Sequence, residues 1–239
     1  MVEQGFCKAQ VAGSNPVRGF GYLICFDMFE RWFPKTIFYE DLQPPRKVKQ
    51  GMLKYVDNFY NTHKGDLKER DNLTGDVYND YTIHRHPEFE WLNRSVSRCC
   101  KQYLEGIGAV LSEVSIYSQK SWPVVCKKNG GCVREHTHTN SMVSAVYYLK
   151  TQVNGTGNLI FYNPSLFLPI PFDASQSGCM YAPIEDRLII FPSDLKHSVD
   201  EYRATDHRYS ISYDITLVSN PDSSIVEKMV VDPSLWSPI

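Results

Sequence analysis

Two histidines separated by one residue could hold a metal ion. His136 and His138 lie in residues 132–138, a run that is typical of a β-strand and that follows a pair of glycines. Side chains two residues apart on a strand point to the same face, so both imidazoles could bind one ion while Glu135 would face away. By itself, a pair of this kind is more commonly two ordinary surface or core histidines without a metal.

A third histidine follows a predicted apolar strand. Residues 186–192 are rich in Leu, Ile and Phe and end at Pro192, which begins a turn that leads to His197. Three nitrogen ligands on one side of an ion would leave open positions on the other side, which is the arrangement that O₂ chemistry requires. Taken alone, His197 could also be a turn histidine.

An arginine lies eleven residues beyond this third histidine. Strand alternation within residues 207–217 places Arg208 and Ser210 on one face, and Ser212 and Asp214 continue that face. The face could be turned toward solvent. Alternatively, it could line a pocket in which the guanidinium makes a bidentate contact with a carboxylate.

The elements that must position these residues begin with a helical part. Residues 33–39 predict an entry strand, and an apolar stripe at helical spacing predicts a first helix that starts after Pro45. Residues 64–85 are polar and rich in Asp, Asn and Gly, which is typical of a loop. A second helix is predicted to begin at Pro87 and to end near Gly106.

After these helices the pattern changes to short β-type runs separated by turn residues. The predicted strands are 113–118, 122–126, 132–138, 142–150, 157–162, 186–192 and 207–217. Several short strands after a helical start predict an α+β protein, mainly β, whose sheet closes as a sandwich or a barrel.

The chain therefore divides into four predicted parts. Residues 1–27 form a doubtful N-terminal extension, 28–110 a strand with supporting helices, 111–220 the β core and 221–239 a tail. Translation of the natural protein could begin at Met28, or residues 1–27 could be a loosely ordered arm. Measuring the intact mass of the natural protein would distinguish the two.

Composition argues against several classes of function. The net charge is −2 and the basic residues are scattered, so the chain has no nucleic-acid-binding signature. It has no apolar run of about 18 residues, so we expect no membrane span. Seven cysteines, an odd number without a CxxC motif, favour free thiols in a reducing, cytoplasmic setting.

Taken together, these motifs resemble the signature of 2-oxoglutarate- and iron(II)-dependent oxygenases. That signature combines an HxD-type pair, a distal histidine and then an arginine with a serine two residues further on. Residues 144–149 and 157–161 resemble two successive strands of prolyl-hydroxylase-type members. More narrowly, residues 122–217 are similar to a group of such oxygenases from viruses and bacteria, so a viral origin is one option.

The resemblance implies a double-stranded β-helix, or jelly-roll, fold and a hydroxylase activity. The Fe(II) ligands would be His136, His138 and His197. Arg208 would bind the distal carboxylate of the co-substrate 2-oxoglutarate, with Ser210 and Tyr148 as hydrogen-bond partners. Decarboxylation of 2-oxoglutarate to succinate would be coupled to oxidation, by O₂, of an unidentified small-molecule or peptide substrate.

One residue departs from the pattern of the superfamily. His138 stands where most members have Asp or Glu, so three neutral imidazoles would leave the iron site with one more positive charge. Such a site should bind hard divalent ions less well, and Zn(II), Ni(II) or Cu(II) could compete for it.

Two alternatives remain open from the sequence. A cupin-type metal-binding protein that does not use 2-oxoglutarate would explain the spacing of Gly130, His136 and His138. However, the expected glutamate is replaced by Met142 or Val143, and a cupin would give Arg208 no role. The other alternative is a catalytically silent β-sandwich that acts through interactions. No motif predicts the substrate or the oligomeric state.

Overall fold

Ten strands and two long helices occur in the part of the chain that the computed structural model describes. The described residues are 35–68, 70–152, 155–163, 178–223 and 231–238. They all lie within one compact unit, Lys35–Ile239. The predicted N-terminal extension, residues 1–27, lies outside the described residues.

The helices are α1 (Arg46–His63) and α2 (Glu90–Gly106). The strands are β1 (Phe38–Asp41), β2 (Asn72–Thr74), β3 (Val114–Cys126), β4 (Gly131–His136), β5 (Val143–Lys150), β6 (Leu159–Tyr162), β7 (Gly178–Tyr181), β8 (Arg187–Pro192), β9 (His197–Tyr202) and β10 (Arg208–Ser219).

Both helices form where the apolar periodicity predicts them. α1 begins directly after Pro45 and buries Met52, Val56 and Phe59 along one stripe. Pro87 opens a short 3₁₀ turn rather than the α-helix itself, and α2 follows that turn. No helix in the described ranges is both long enough and apolar enough to cross a bilayer.

Two antiparallel sheets build the β part. The larger has the strand order β1-β8-β5-β10-β3-β2, and the smaller has the order β4-β9-β6-β7. Buried apolar side chains of both sheets pack together; they are Tyr148, Leu159, Phe161, Ile189, Phe191 and Leu195. The protein is thus a double-stranded β-helix with supporting helices, as predicted.

Strand β10 lies in the middle of the larger sheet, between β5 and β3. One face of β10 joins the core cluster that also contains buried residues of both helices; its members are Tyr209, Ile211, Tyr213 and Ile215. The opposite face lines a cavity with Arg208, Ser210, Ser212 and Asp214. The predicted alternation is therefore confirmed, and the polar face is not turned toward solvent.

The strand prediction was wrong in two respects. The runs 113–118 and 122–126 form the single strand β3, because the residues between them remain paired with β10 around a bulge. Strands β2, β7 and β9 were not predicted. β9 is largely polar in sequence, and its strand conformation comes from pairing with β4 and β6 on either side.

The described cysteines agree with the prediction of free thiols. Cys99, Cys100, Cys126, Cys132 and Cys179 are all unpaired. The first three are buried, and burial raises the pKa of the Cys99 thiol to about 12 and that of Cys100 to about 11. These two thiols are therefore protonated packing groups rather than reactive nucleophiles.

Candidate active site

Three histidines from two distant parts of the chain converge between the two sheets. One ring nitrogen from each of His136, His138 and His197 lies within 4.8 Å of the others. The ring centroids of His136 and His197 are 4.3 Å apart, and His138 lies 5.2 Å from each of them. Among the described residues, this is the group whose donor atoms could hold one metal ion together.

Pairing of β4 with β9 places His136 directly opposite His197. The expectation that His138 lies on the same strand was wrong, because β4 ends at His136. His138 is held instead by its backbone N–H, which donates to the carbonyl of Ser193 at 2.9 Å. Glu135 forms an exposed ion pair with a lysine 2.9 Å away.

Backbone carbonyls set the orientation of two of the imidazoles. The Nδ1 atom of His136 lies 2.8 Å from the carbonyl oxygen of Arg134, and that of His197 lies 2.8 Å from the carbonyl oxygen of Leu195. A carbonyl oxygen only accepts, so Nδ1 carries the proton in both rings. The lone pair of each ring is therefore on Nε2, which is left free for a metal.

Burial also keeps these two rings neutral. It lowers the pKa of His197 to about 4 and lowers the pKa of His136, because both rings are partly removed from water. The neighbouring imidazoles lower the pKa of His197 a little further. A neutral imidazole is the form that binds a metal ion, so both ligands are ready at neutral pH.

We expect the metal-free protein to lose stability as the pH falls from about 6.5 to about 4. In this range the unfolded chain protonates residue 197 while the folded chain does not, so protons favour unfolding. The lowered pKa of His197 corresponds to a loss on the order of 3 kcal/mol. Urea unfolding at several pH values, with a chelator present, measures this slope. His197→Gln should have a shallower slope, and an unchanged slope would contradict the assignment.

Arg208 is buried without a negatively charged partner. It is 2% exposed, and its Nη1 donates to the carbonyl oxygen of Gly157 at 2.6 Å. Its Nε has no hydrogen-bond partner, and no carboxylate of the described chain forms an ion pair with it. Leaving a buried charge uncompensated is strongly unfavourable, so the guanidinium is arranged for an anion from outside the chain.

The histidines and Arg208 line one cavity of about 590 Å³. This volume is typical of sites that bind small ligands. The side chains of Tyr148 and Ser210 line the same cavity, and the guanidinium lies 5.5 Å from the Tyr148 ring. The structure therefore brings all the sequence-predicted site residues together.

Buried polar atoms without partners are concentrated in this cavity. Among the described residues, Asn72 Oδ1 and Arg208 Nε belong to cavity-lining residues and have no partner, and Asp214 Oδ1 faces only the Nδ1 of His138, 2.7 Å away. Buried polar groups in proteins are normally satisfied. Their clustering here indicates that the cavity is built to receive a polar ligand.

Trp122 is a further residue of the cavity. It is buried, and its ring lies 6.0 Å from that of His138. Ser144 also lines the cavity, and its hydroxyl lies 2.8 Å from that of Ser193, which in turn is 2.8 Å from that of Ser141.

Sequence reasoning missed three contributions to the site. Asp214 shares a strand face with Arg208, so alternation could have identified it as a site residue. The contribution of Gly157 is its backbone carbonyl, which a sequence motif does not reveal. Asn72 was missed because residues 64–85 were interpreted as a loop.

Comparisons with known proteins agree with this geometry. Residues 120–214 match the family model described as "Putative 2OG-Fe(II) oxygenase". This range contains all three histidines and Arg208. None of the curated protein sequences matches the chain.

Solved structures share the fold at low sequence identity. AviO1 from Streptomyces viridochromogenes Tue57 has a TM-score of 0.54 and 11% identity, over 81% of this chain and 93% of that one. HygX from Streptomyces hygroscopicus, with nickel and 2-oxoglutarate bound, has a TM-score of 0.52 and 8% identity, over 76% and 82%.

A prolyl hydroxylase from Trichoplax adhaerens, in complex with a peptide fragment of the hypoxia inducible factor oxygen degradation domain, is also similar. Its TM-score is 0.50 and its identity 17%, over 74% of this chain and 83% of that one. The structural likeness shows the fold, and the family match covers the strands that carry the site. The match to the 2OG-Fe(II) oxygenase family model covers residues 120–214, and these solved structures share the fold of the described residues.

Proposed function

We propose that this protein is an Fe(II)- and 2-oxoglutarate-dependent hydroxylase. It would couple the decarboxylation of 2-oxoglutarate to succinate with oxidation, by O₂, of a small-molecule or peptide substrate. One observation carries the proposal: three imidazoles and a buried guanidinium without a counter-ion line the same cavity.

The three histidines fit a divalent metal ion. His136 and His197 present free Nε2 atoms, and the Nδ1 of His138 lies against a carboxylate, so its Nε2 is free as well. When bound, iron together with 2-oxoglutarate supplies the oxidising chemistry. The protein's own contribution is to hold these reagents in a fixed geometry.

Arg208 would hold 2-oxoglutarate by its distal carboxylate. A guanidinium makes two parallel hydrogen bonds with a carboxylate, and its Nε, which has no partner in the protein, is one of the donors that such a contact uses. Ser210 and Tyr148 would add hydrogen bonds from the cavity wall. Burial raises the pKa of Tyr148, so its phenol remains a donor at neutral pH.

The remaining wall of the cavity would keep water away from the reaction. Leu159, Phe191 and Val199 line it near the histidines, and the first two are buried. An apolar wall lowers the local dielectric and limits side reactions with water. A cupin that ignores 2-oxoglutarate would leave the buried Arg208 without an explanation, and we therefore favour the oxygenase.

Anaerobic spectroscopy tests the proposed function. Adding Fe(II) and 2-oxoglutarate together to the metal-free protein should produce a weak visible charge-transfer absorption, and neither reagent alone should do so. A cupin would bind the metal without this absorption, and a silent β-sandwich would bind neither reagent. Succinate formation on admission of O₂, even without a substrate, would support the proposal further.

Gly157 provides a separate test of how Arg208 is held. It has a φ of +71°, and a Cβ at this position would lie 2.6 Å from Cδ2 of Tyr202 and 3.2 Å from Nη1 of Arg208. We expect Gly157→Ala to lower the unfolding free energy by about 1–3 kcal/mol and to weaken 2-oxoglutarate binding. Urea unfolding and calorimetric titration with 2-oxoglutarate measure the two effects.

Gly155→Ala is the matched control for this variant. Gly155 has a similar φ of +76°, but a Cβ there would meet nothing within 4 Å. The control should therefore have the backbone strain without the loss of binding. Equal 2-oxoglutarate affinity in the two variants would show that the contact between residue 157 and Arg208 does not matter.

A further inference from the structure

His138 differs from the other two histidines in the group that faces its Nδ1. His136 and His197 are each oriented by a neutral backbone carbonyl. The Nδ1 of His138 lies 2.7 Å from Oδ1 of Asp214, which is a carboxylate. The histidine that occupies the place of the usual acidic ligand is therefore the one with an acidic partner.

The position of Asp214 results from strand register. On β10 it lies opposite Ser144 of β5 and Lys120 of β3, immediately before a bulge in the pairing with β3. Asp214 is 7% exposed, and its side chain points into the cavity. Apart from the contact with His138, its Oδ1 has no hydrogen-bond partner among the described residues.

The charge of Asp214 is only weakly compensated inside the protein. Lys120 Nζ lies 3.8 Å from Oδ2 of Asp214, beyond hydrogen-bond range, and 3.3 Å from Oδ2 of Asp76. The same ammonium lies 4.2 Å from the centroid of the Trp122 ring. Because Lys120 is shared between two carboxylates, it does not neutralise Asp214 fully.

We propose that Asp214 is a positioning residue that gives the three-histidine site the negative charge it lacks. This inference rests on the proposed function, because it requires a metal at the histidines. A divalent ion with two histidines and one carboxylate ligand carries a total charge of +1. Three neutral histidines would leave +2, and the Asp214 carboxylate behind His138 restores +1 without contacting the metal.

The carboxylate would also improve His138 as a ligand. A hydrogen bond from Nδ1 to a carboxylate fixes the tautomer and the ring orientation, and it raises the basicity of Nε2. The orienting partners of metal-binding histidines typically change metal affinity 10- to 100-fold. Asp214 would therefore explain how a site without a carboxylate ligand still holds Fe(II).

Metal titration of Asp214→Asn tests the proposal. Asparagine keeps the size and one oxygen acceptor but removes the charge. We expect the affinity for Co(II), measured by absorption during titration of the metal-free protein, to fall about 10- to 100-fold. Asp57→Asn is the matched control, because Asp57 accepts a hydrogen bond from Tyr209 on the other face of β10 at 2.9 Å. Its affinity for Co(II) should equal that of the wild type.

A second variant tests the same charge without altering the buried carboxylate. Lys120→Met removes the cation nearest to Asp214, so Co(II) binding should tighten at least about twofold. This result does not depend on whether Asp214→Asn folds, and thermal unfolding of each metal-free variant verifies that it is folded.

The outcomes separate the inference from the proposed function. A wild-type protein that binds no Co(II) would contradict the metal site itself. If the wild type and Asp214→Asn bind Co(II) equally while His138→Ala binds weakly, the site exists and Asp214 has no role in it. Weaker or unchanged Co(II) binding in Lys120→Met would likewise overturn the proposal.

Discussion

His197→Ala is expected to abolish metal binding and all succinate formation. The residue is 4% exposed and sits opposite His136 across the β4–β9 pair. Removal leaves two imidazoles, and the described residues contain no further donor in the group. Because the partners that merely orient a ligand change affinity 10- to 100-fold, we expect loss of a ligand to exceed about 100-fold.

Titration of the metal-free variant with Fe(II) under anaerobic conditions, and with Co(II) in air, measures this loss. His63→Ala is a suitable control, because His63 packs against Phe59 and Tyr78 at the end of α1, away from the cavity. Thermal unfolding of each metal-free variant verifies that the fold is intact. If His197→Ala bound these metals with the affinity of the wild type, the metal site would not lie at this position.

Arg208→Met is expected to abolish 2-oxoglutarate binding while metal binding persists. The distal carboxylate loses its counter-ion, and a bidentate, buried contact between a guanidinium and a carboxylate is among the stronger polar interactions in proteins. We expect the 2-oxoglutarate affinity to fall at least about 100-fold, since losing one partner of such a pair costs about 3–5 kcal/mol. The charge-transfer absorption should disappear at 2-oxoglutarate concentrations that saturate the wild type.

The same variant should not destabilise the protein without its co-substrate. The guanidinium of Arg208 is buried without an anion. Replacing it with an apolar side chain of similar length therefore removes the free-energy cost of burying an unpaired charge. Arg187→Met is the control variant, because Arg187, unlike Arg208, already forms an ion pair within the protein, with Asp41 at 2.6 Å. The Arg187→Met variant should leave 2-oxoglutarate binding unchanged.

Urea unfolding without ligand and calorimetric titration with 2-oxoglutarate measure both effects of Arg208→Met. A large loss of stability in the ligand-free variant would show that the cation has an internal partner. Full 2-oxoglutarate affinity in the variant would show that Arg208 does not anchor the co-substrate. Together with His197→Ala, this variant separates the binding of the metal from the binding of the co-substrate.

Local periodicity explains why much of the fold was predictable. The apolar stripes of α1 and α2 recur at helical spacing, and the alternation along β10 distinguishes its polar face from its apolar face. Such patterns depend on the burial of one face of an element. The patterns can therefore be recognised in the sequence without knowing which element covers that face. The order of His136, His138, His197 and Arg208 along the chain likewise carried the family resemblance.

Long-range pairing explains what the sequence did not reveal. β2, β7 and β9 are short or polar, and they are strands because neighbouring strands satisfy their backbone groups. The end of β4 at His136 depends on the loop that follows, where a backbone hydrogen bond to Ser193 directs His138.

The sequence by itself determined which residue types are present and which faces of the helices and of β10 they occupy. Only the tertiary structure decided that Asp214 meets His138, 76 residues earlier in the chain, and that the carbonyl of Gly157 meets Arg208. These contacts depend on the register between strands and on the packing of two sheets. Neither quantity is encoded by the spacing of residues within a single segment.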